Sequence, residues 1–396
     1  MKKILTALLI LVSISLGTAC WDQREVDERG IVLGLGLDQS VKKAEVPSGV
    51  EGALAEPGSK FYQVTFQLVA PGQVAGKEKG GGDKLPFWNL TVTNASSIAE
   101  TFNEASTRSN RAPYLEHVQI VLIGQNLAKG GLKSAFDSIL RESEIRKRVP
   151  VYITPGTAKE MLDIKPKLEG VNATYLTSLQ NNADYTAHFA PTITLSQLSR
   201  NLHENSTYLI PRIIAGKGEA KLNGAGLFKG DKLIGWLGGM ETQGVRLVTG
   251  KFEGGNIKVQ TSNKGAGGVK GNDVLELTSA SSRIIPIVHG KKVSFRIEIT
   301  GEGTLVEHQD PSHVLNSAHL KDTEREFNRA IEKQIKLTVQ KMQQQFQGDV
   351  FGFGRRLEER HPGVWKQLKK NWPQEFAQAE VQVQAQVHIR RVGVNK

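Results

Sequence analysis

Cys20 is the only cysteine in the 396-residue chain, and its position is the clearest sign of chemistry in the sequence. It follows two lysines, an apolar run at 4–16 and three small residues. This order is typical of an export signal, because the run is shorter than the roughly 20 apolar residues that span a bilayer. A cysteine directly after the small residues predicts removal of residues 1–19 and attachment of a diacylglycerol to the Cys20 thiol. Two or more acyl chains hold a protein stably on a membrane.

Two other interpretations of this stretch stay open. Cys20 is a free thiol if the signal peptide is of the ordinary cleaved kind, and the apolar run is an anchor if it is not cleaved. A bacterial lipobox usually has leucine three residues before the cysteine, where this chain has Gly17, and Leu16 lies one place earlier. We expect an exported protein that is tethered to the outer face of a membrane, with Cys20 as the lipidation site.

The residues that follow the cysteine are candidates for docking to a partner. They are Trp21, Asp22, Arg24 and Glu25. The alternative is that their charges form ion pairs with the first folded domain and hold the start of the chain against it. The sequence does not separate these two hypotheses.

We find no pattern of an enzyme or of a metal site. The sequence contains no H-E-x-x-H, no G-x-S-x-G and no Walker loop, and its nine histidines are scattered, with no pair whose spacing we accept as that of a metal site. His203 and Glu204 fall at a predicted helix end, where capping or solvation explains them. The sequence therefore predicts a non-enzymatic protein without a metal or other cofactor.

Basic residues exceed acidic ones, 51 to 40, which gives a formal charge of +11. Such an excess suits an acidic neighbour such as anionic lipid headgroups. The sequence has no block of five or more like charges, which favours the alternative that the charge is dispersed and supports solubility. We expect no nucleic-acid partner. With Cys20 lipidated, disulfides and cysteine-based metal sites are excluded.

Strand and helix patterns predict an α+β protein with three domains, each a mixed or antiparallel sheet packed against helices. The first domain, 20–204, alternates short apolar strands with amphipathic helices, including one continuous helix at 127–141. Loops are expected at 41–60 and 72–84. The middle domain, 205–272, contains a hairpin that turns at Gly230-Asp231 and a glycine- and lysine-rich stretch, 254–272, expected to be exposed.

The third domain, 273–396, has the most regular patterns. Thr323 and Glu326 predict a capping box, and the helix after them carries one apolar stripe from Phe327 to Phe346. Glu380 to Val392 alternates apolar and polar residues, which predicts a strand with one wet face in an antiparallel sheet.

Several aromatic residues lie between that helix and that strand. Asp349 is expected to cap the following helix, and Phe351 and Phe353 are core residues or, alternatively, docking residues. Trp365 and Trp372 are buried anchors under the final strand or, alternatively, contacts to a partner or to the headgroup layer.

Taken in order, these motifs resemble those of one family, the Ger(x)C lipoproteins, which are the C subunits of nutrient germinant receptors in endospore-forming bacteria. The Cys-Trp-Asp-x-Arg-Glu start at 20–25 precedes the glycine-spaced strand at 34–38. A central strand at 117–124 and a G-x-A-x-F-x-x-D-K-L-x-G-like hairpin at 224–235 follow. Asp349 to Gly354, with His361-Pro362, Trp365 and Trp372, matches the family's C-terminal signature, although Phe351 replaces the commoner leucine.

This resemblance implies a three-domain α+β protein anchored by acylated Cys20 to the outer face of the spore's inner membrane. It implies assembly with two integral membrane subunits, A and B, into a receptor that triggers germination. The family offers no chemical task for the C subunit, so a scaffolding role is the expectation.

Two other functions remain as alternatives. A solute-binding lipoprotein of a transport system predicts two doubly wound parallel domains around a cleft, which the alternation at 380–392 disfavours. An exported cell-wall hydrolase needs a carboxylate pair or a metal site, and the sequence shows neither.

Overall fold

The computed structural model describes residues 29–40, 61–69, 87–183, 185–264, 270–290, 292–309 and 317–393. The predicted loops at 41–60 and 72–84 lie outside these residues, as do the expected signal peptide, the lipidation site and the docking residues beside it.

The described residues contain fourteen strands arranged in two sheets. They are β1 (Arg29–Gln39), β2 (Tyr62–Val69), β3 (Trp88–Ala95), β4 (Ala112–Tyr114), β5 (Ile120–Gly124), β6 (Pro150–Thr154), β7 (Ile193–Thr194), β8 (Thr207–Ala215), β9 (Ala220–Lys229), β10 (Lys232–Leu237), β11 (Gly255–Lys264), β12 (Lys270–His289), β13 (Lys292–His308) and β14 (Glu380–Val392). The first sheet has the order β10-β9-β8-β6-β5-β1-β2-β3, with β4 beside β1 and β7 beside β6. The second sheet has the order β11-β12-β13-β14.

Eleven α-helices cover these sheets in the described part of the chain. They are α1 (Ile98–Arg108), α2 (Gln125–Gly130), α3 (Lys133–Arg141), α4 (Ala158–Leu162), α5 (Asn172–Ser178), α6 (Leu195–Glu204), α7 (Gly239–Thr249), α8 (Ser317–Lys341), α9 (Phe353–Arg360), α10 (Pro362–Leu368) and α11 (Trp372–Gln378). A π-helical turn, Met342–Phe346, extends α8.

Each face of the first sheet has its own hydrophobic core. Residues of α1, α3 and α6 pack on one face, and α4 and α5 pack on the other. The third core lies between the second sheet and α8, α9 and α11, and α7 joins it to β9 of the first sheet. The α+β class is therefore confirmed, with both sheets packed against helices.

The apolar stripe of α8 is confirmed as the centre of the third core. Each fully buried Phe, Ile or Met side chain stabilises the fold by about 1.5–3 kcal/mol. The buried members of the stripe are Phe327, Ile331, Ile335, Val339 and Met342. Helix α8 thereby fixes the face of the second sheet that is excluded from water.

The boundary predicted at 204/205 falls inside one continuous sheet. Strands β8, β9 and β10 extend the first sheet, and β8 joins β6 through the parallel pair Ile153–Arg212. In the remainder of the predicted middle domain, β11 and the first residues of β12 belong to the second sheet. The division into three domains with these boundaries stays a prediction.

The predicted single helix at 127–141 is wrong. Two helices, α2 and α3, occupy this segment because Gly131 adopts a φ of +106°, which the α-helix cannot accommodate. The expected exposure of 254–272 is also wrong, since Ile257 and Val259 of β11 are buried against the third core.

Two expectations for the last third of the chain are wrong as well. Thr323 does not start α8, because in the described residues the helix already begins at Ser317, and the buried Thr323 hydroxyl donates to the carbonyl of His319. Strand β14 pairs with β13 in parallel. Helices α8 to α11 return the chain to the starting end of β13, as a crossover connection between parallel strands requires.

The sheets differ from the architecture that a solute-binding lipoprotein predicts. In the first sheet β1, β5, β6 and β8 run parallel, while both flanks are antiparallel. In the second sheet only the β13–β14 pair is parallel among the described strands. Two doubly wound parallel domains around a cleft are not present in the described residues.

Candidate functional site

The loop before α9 is organised by the Asp349 carboxylate. Its Oδ1 accepts the backbone N–H groups of Phe351, Gly352 and Phe353 at 2.9–3.2 Å. Its Oδ2 accepts the N–H of Gly354 at 2.8 Å and the indole Nε1–H of Trp372 at 3.0 Å. The predicted capping role is thus confirmed, and it extends to a tryptophan from another helix.

Phe351 and Phe353 point into the third core. Phe351 is 4% exposed and Phe353 is fully buried, which supports the core interpretation and leaves neither ring accessible to a partner in this fold. The Phe353 ring stacks on Phe295 of β13, with 4.6 Å between ring centroids. The loop therefore attaches α9 to the second sheet.

Trp365 and Trp372 are half-buried and pack against each other edge to face, with ring centroids 5.2 Å apart. Gly354 lies beneath both rings. A methyl group added there would be 2.8 Å from Trp372 Nε1 and 2.9 Å from Trp365 Cη2. A methyl group at this position would press against both rings, and both tryptophans pack against the third core.

The glycine-spaced strand at 34–38 is a packing surface for a helix. Methyl groups added at Gly34 and Gly36 would lie 2.9 and 3.1 Å from the side chain of Leu162, so the two glycines let α4 approach β1 closely. At the end of the same strand, Asp38 accepts the N–H groups of Ala158 and Lys159 at 2.8 and 3.0 Å. Desolvation of the Asp38 carboxyl outweighs these bonds and raises its pKa above the ordinary value of 3.8.

The hairpin at 224–235 also has a structural role. Gly230 has a φ of +60° in the turn, as predicted, and Gly224 has a φ of +79°. A methyl group at Gly224 would clash with the carbonyl oxygen of Leu237. The Arg212 Nε–H donates to the carbonyl of the neighbouring Asn223 at 2.7 Å, which holds β8 against β9.

Helix α8 provides hydrogen-bond acceptors for the backbone N–H groups at the outer edge of β14. The acceptors form a side-chain row of three residues, Glu324, Asn328 and Glu332. Their oxygens accept the backbone N–H groups of Ile389, Val387 and Ala385 at 2.8, 2.8 and 3.1 Å. Alternate N–H groups of a strand point to the same side, and residues four apart share one face of a helix. This side-chain row occupies hydrogen-bonding groups that an edge strand otherwise offers to another chain.

Sequence reasoning missed the side-chain row, the partners of Asp38 and one buried cation, Arg246. Arg246 is 1% exposed, and its side chain donates to the carbonyls of Lys251 and Phe189 and to the Glu253 carboxylate. The polar residues of the row recur at every fourth residue of α8, and this spacing could have predicted the row from the sequence. No sequence pattern could have predicted the roles of Asp38 and Arg246, because their main partners are elsewhere in the chain or are backbone carbonyls.

No cluster of three histidine, cysteine or acidic side chains among the described residues is arranged to hold a metal ion. None of the helices in the described ranges is both long enough and apolar enough to cross a bilayer.

Two family models match consecutive parts of the chain. The model described as "Spore germination protein N-terminal domain" matches residues 22–215, and the one described as "Spore germination B3/ GerAC like, C-terminal" matches residues 223–393. The chain belongs to the Ger(x)C family of spore germination proteins. Within this Ger(x)C chain the first match ends with β8 and the second begins at residue 223, inside β9, so both include strands of the first sheet.

Relatives of this Ger(x)C chain from Bacillus subtilis (strain 168) align over nearly their whole length. Spore germination protein YndF is 27% identical over 100% of this chain and 98% of its own length. Spore germination protein KC is 24% identical over 99% and 97%, and spore germination protein B3 is 23% identical over 91% and 90%.

The fold resembles that of a solved structure, the crystal structure of the GerBC protein. That likeness has a TM-score of 0.59 at 21% identity and covers 85% of this chain and 96% of the other. Mixed sheets packed against helices are thus the architecture of this Ger(x)C chain, and the motif residues at 34–38, 224–235 and 349–354 build it.

Proposed function

We propose that this chain is the lipid-anchored C subunit of a nutrient germinant receptor in spores. It assembles with the integral membrane subunits A and B and acts without catalysis of its own. Diacylglyceryl-Cys20 holds it on the outer face of the spore's inner membrane, with the folded body beside the lipid.

The observation that carries this proposal is the ordered match of both spore germination models across residues 22–393. Full-length alignment with the Bacillus subtilis relatives supports it further, because a single shared domain would cover only part of each chain.

The arrangement of charged groups supports a role in assembly rather than in chemistry. Two of these groups, Asp38 and Asp349, lie at the family motifs, and the third, Arg246, lies in α7. All three are buried or half-buried, and each forms hydrogen bonds with backbone groups of the protein. Groups that are saturated in this way position elements and are not available to a substrate. Trp21, Asp22, Arg24 and Glu25 are proposed to dock on a partner subunit next to the anchor.

Germination of spores that carry altered genes tests the proposal. We expect deletion of the gene to abolish calcium dipicolinate release in response to one class of nutrient and to leave the response to other classes intact. Cys20→Ala should reproduce this loss and remove the protein from the membrane fraction in immunoblots. Mass spectrometry of the membrane-bound parent should find an acylated N-terminal cysteine.

A matched control distinguishes a need for the lipid itself from a need for any attachment to the membrane. Replacing residues 1–20 with an uncleaved transmembrane anchor should restore the nutrient response of the Cys20→Ala strain. A full nutrient response in the deletion strain, across single nutrients, would disprove the receptor function. An N-terminus without acylation on the membrane-bound parent would disprove the lipid anchor.

A further inference from the structure

A cleft of about 520 Å³ lies between α6, β8, α7 and the start of α9. A second cavity of about 300 Å³, bounded also by β12, adjoins it and shares Thr249, Lys251, Val350 and Arg355 with it. We call these two adjoining cavities together the junction cleft.

Cations dominate the charged lining of the junction cleft. Five basic side chains and one carboxylate, Glu204, line the two cavities. The basic residues are Arg200, Arg246, Lys251, Arg355 and Arg356. All of these cations except Arg246 are exposed at the rim, and an excess of one charge sign around a cleft raises the local concentration of anions.

The internal partners of these cations leave part of the charge unneutralised. Arg246 pairs with Glu253, and Arg355 and Arg356 share the single carboxylate of Glu359. The remaining two lining cations, Arg200 and Lys251, form no ion pair with a described residue.

The C-terminal ends of two helices add a smaller, negative contribution to the electrostatic potential in the junction cleft. The C-terminal turns of α6 and α7 line the cleft, and each contributes roughly half a negative charge. This offsets part of the excess near Arg200 and Lys251. It does not offset Arg355 and Arg356, which belong to the first half of α9.

The cations come from both halves of the chain. Arg200 lies in the region matched by the N-terminal family model, whereas Lys251, Arg355 and Arg356 lie in the region matched by the C-terminal one. An anion bound among them is therefore a bridge between the first sheet's helices and those of the second sheet.

We propose that the junction cleft binds a small anion that carries two or more carboxylate or phosphate groups. Arg200 and Lys251 are its principal contacts, and Arg355 and Arg356 close over it from α9. The combined recess lies within the range of about 300–1,000 Å³ that small-molecule sites occupy. This site goes beyond the proposed receptor function and does not depend on it.

Calorimetric titration of the purified full-length chain in non-ionic detergent tests the site. Pyrophosphate and citrate are the probes, each added at constant ionic strength so that general screening does not change. We expect saturable binding of at least one probe, and the better probe identifies phosphate or carboxylate as the preferred chemistry.

Arg200→Ala with Lys251→Ala should weaken the affinity at least tenfold. The control, Lys366→Ala with Lys369→Ala, removes the same charge from exposed positions on and just after α10 and should change affinity less than twofold. Both variants should keep the parent's thermal midpoint without ligand. Absence of saturable binding to the parent, or an equal loss in both variants, would overturn the proposal.

Discussion

Asp38 and Asp349 each hold the beginning of a helix, but they do so over very different distances along the chain. Asp38 ends a strand and binds the N–H groups at the start of α4, 120 residues later. Asp349 binds N–H groups two to five residues ahead and the Trp372 indole. The first carboxylate joins two elements that already pack, whereas the second creates the conformation of its own loop.

The two carboxylates also differ in burial and in the number of hydrogen bonds that they accept. Asp38 is 3% exposed with two backbone bonds, and desolvation raises its pKa. Asp349 is half-buried and has five N–H donors. Bonds to a charged acceptor contribute about 1.5–3 kcal/mol each, so the loop should depend on its carboxylate more than α4 does.

The largest effect is expected for Asp349→Ala, because five donors lose their common acceptor. We expect the free energy of unfolding to fall by about 3–5 kcal/mol. Asp349→Asn should also destabilise the protein, because its amide NH₂ faces N–H donors. Urea unfolding followed by tryptophan fluorescence measures the change, and exposed Asp137→Ala is the control. A loss no larger than that of the control would refute the central role of this carboxylate.

Gly354→Ala tests whether Trp365 and Trp372, which pack on the loop, are held as rigidly as the Asp349 carboxylate. Although alanine favours helices, its methyl group would meet both indole rings, so we expect a loss of about 1–3 kcal/mol. Gly363→Ala occupies the same second position of a helix in open space and should stabilise the protein by up to about 1 kcal/mol. If both variants change the thermal unfolding midpoint equally, the indole rings move aside to accommodate the methyl group.

Asp38→Asn should cost less than either change at the loop, about 1 kcal/mol. The substitution removes one acceptor from the start of α4 but also removes the penalty of a buried charge. Urea unfolding at pH 7 measures the difference. A loss greater than that of Asp349→Ala would reverse the ranking of the two carboxylates.

The smallest effect is the pH dependence that Asp38 contributes. Because the pKa of Asp38 is raised in the fold, the folded protein binds its proton more tightly than the unfolded chain does. The stability of the parent relative to Asp38→Asn should therefore rise as pH falls through the folded pKa, and the gain is complete below about 3.8. Unfolding curves of both proteins between pH 7 and 3.5 measure it, and a difference that falls or stays level contradicts the prediction.

The same contrast explains what the sequence could predict. The roles of Asp349 and the α8 stripe followed from neighbours within a few residues, and the structure confirms them, while the burial of Phe351 supports the core alternative of its two interpretations. The role of Asp38 did not, because its partners are 120 residues away. Alternation in β14 correctly predicted which face is dry, but it carries no information on the direction of the neighbouring strand, so the parallel pairing was missed.

Two local errors had signals in the sequence. Gly130-Gly131 marked the break between α2 and α3, and Ile257 and Val259 alternate within a stretch whose glycine and lysine content obscured them. The predictions for Cys20 and for the residues beside it lie outside the described residues, so they rest on sequence alone.

The side-chain row of α8 has a consequence for the order in which the second sheet forms. Strands β12 and β13 are joined by a short turn, whereas β14 must wait for the whole helical segment that separates it from β13. Contacts between distant residues form late because closing a long loop costs entropy. When β14 arrives, Glu324, Asn328 and Glu332 already present acceptors at a spacing close to that of alternate strand residues. We therefore expect the helix to act as a template that selects the register of the last strand.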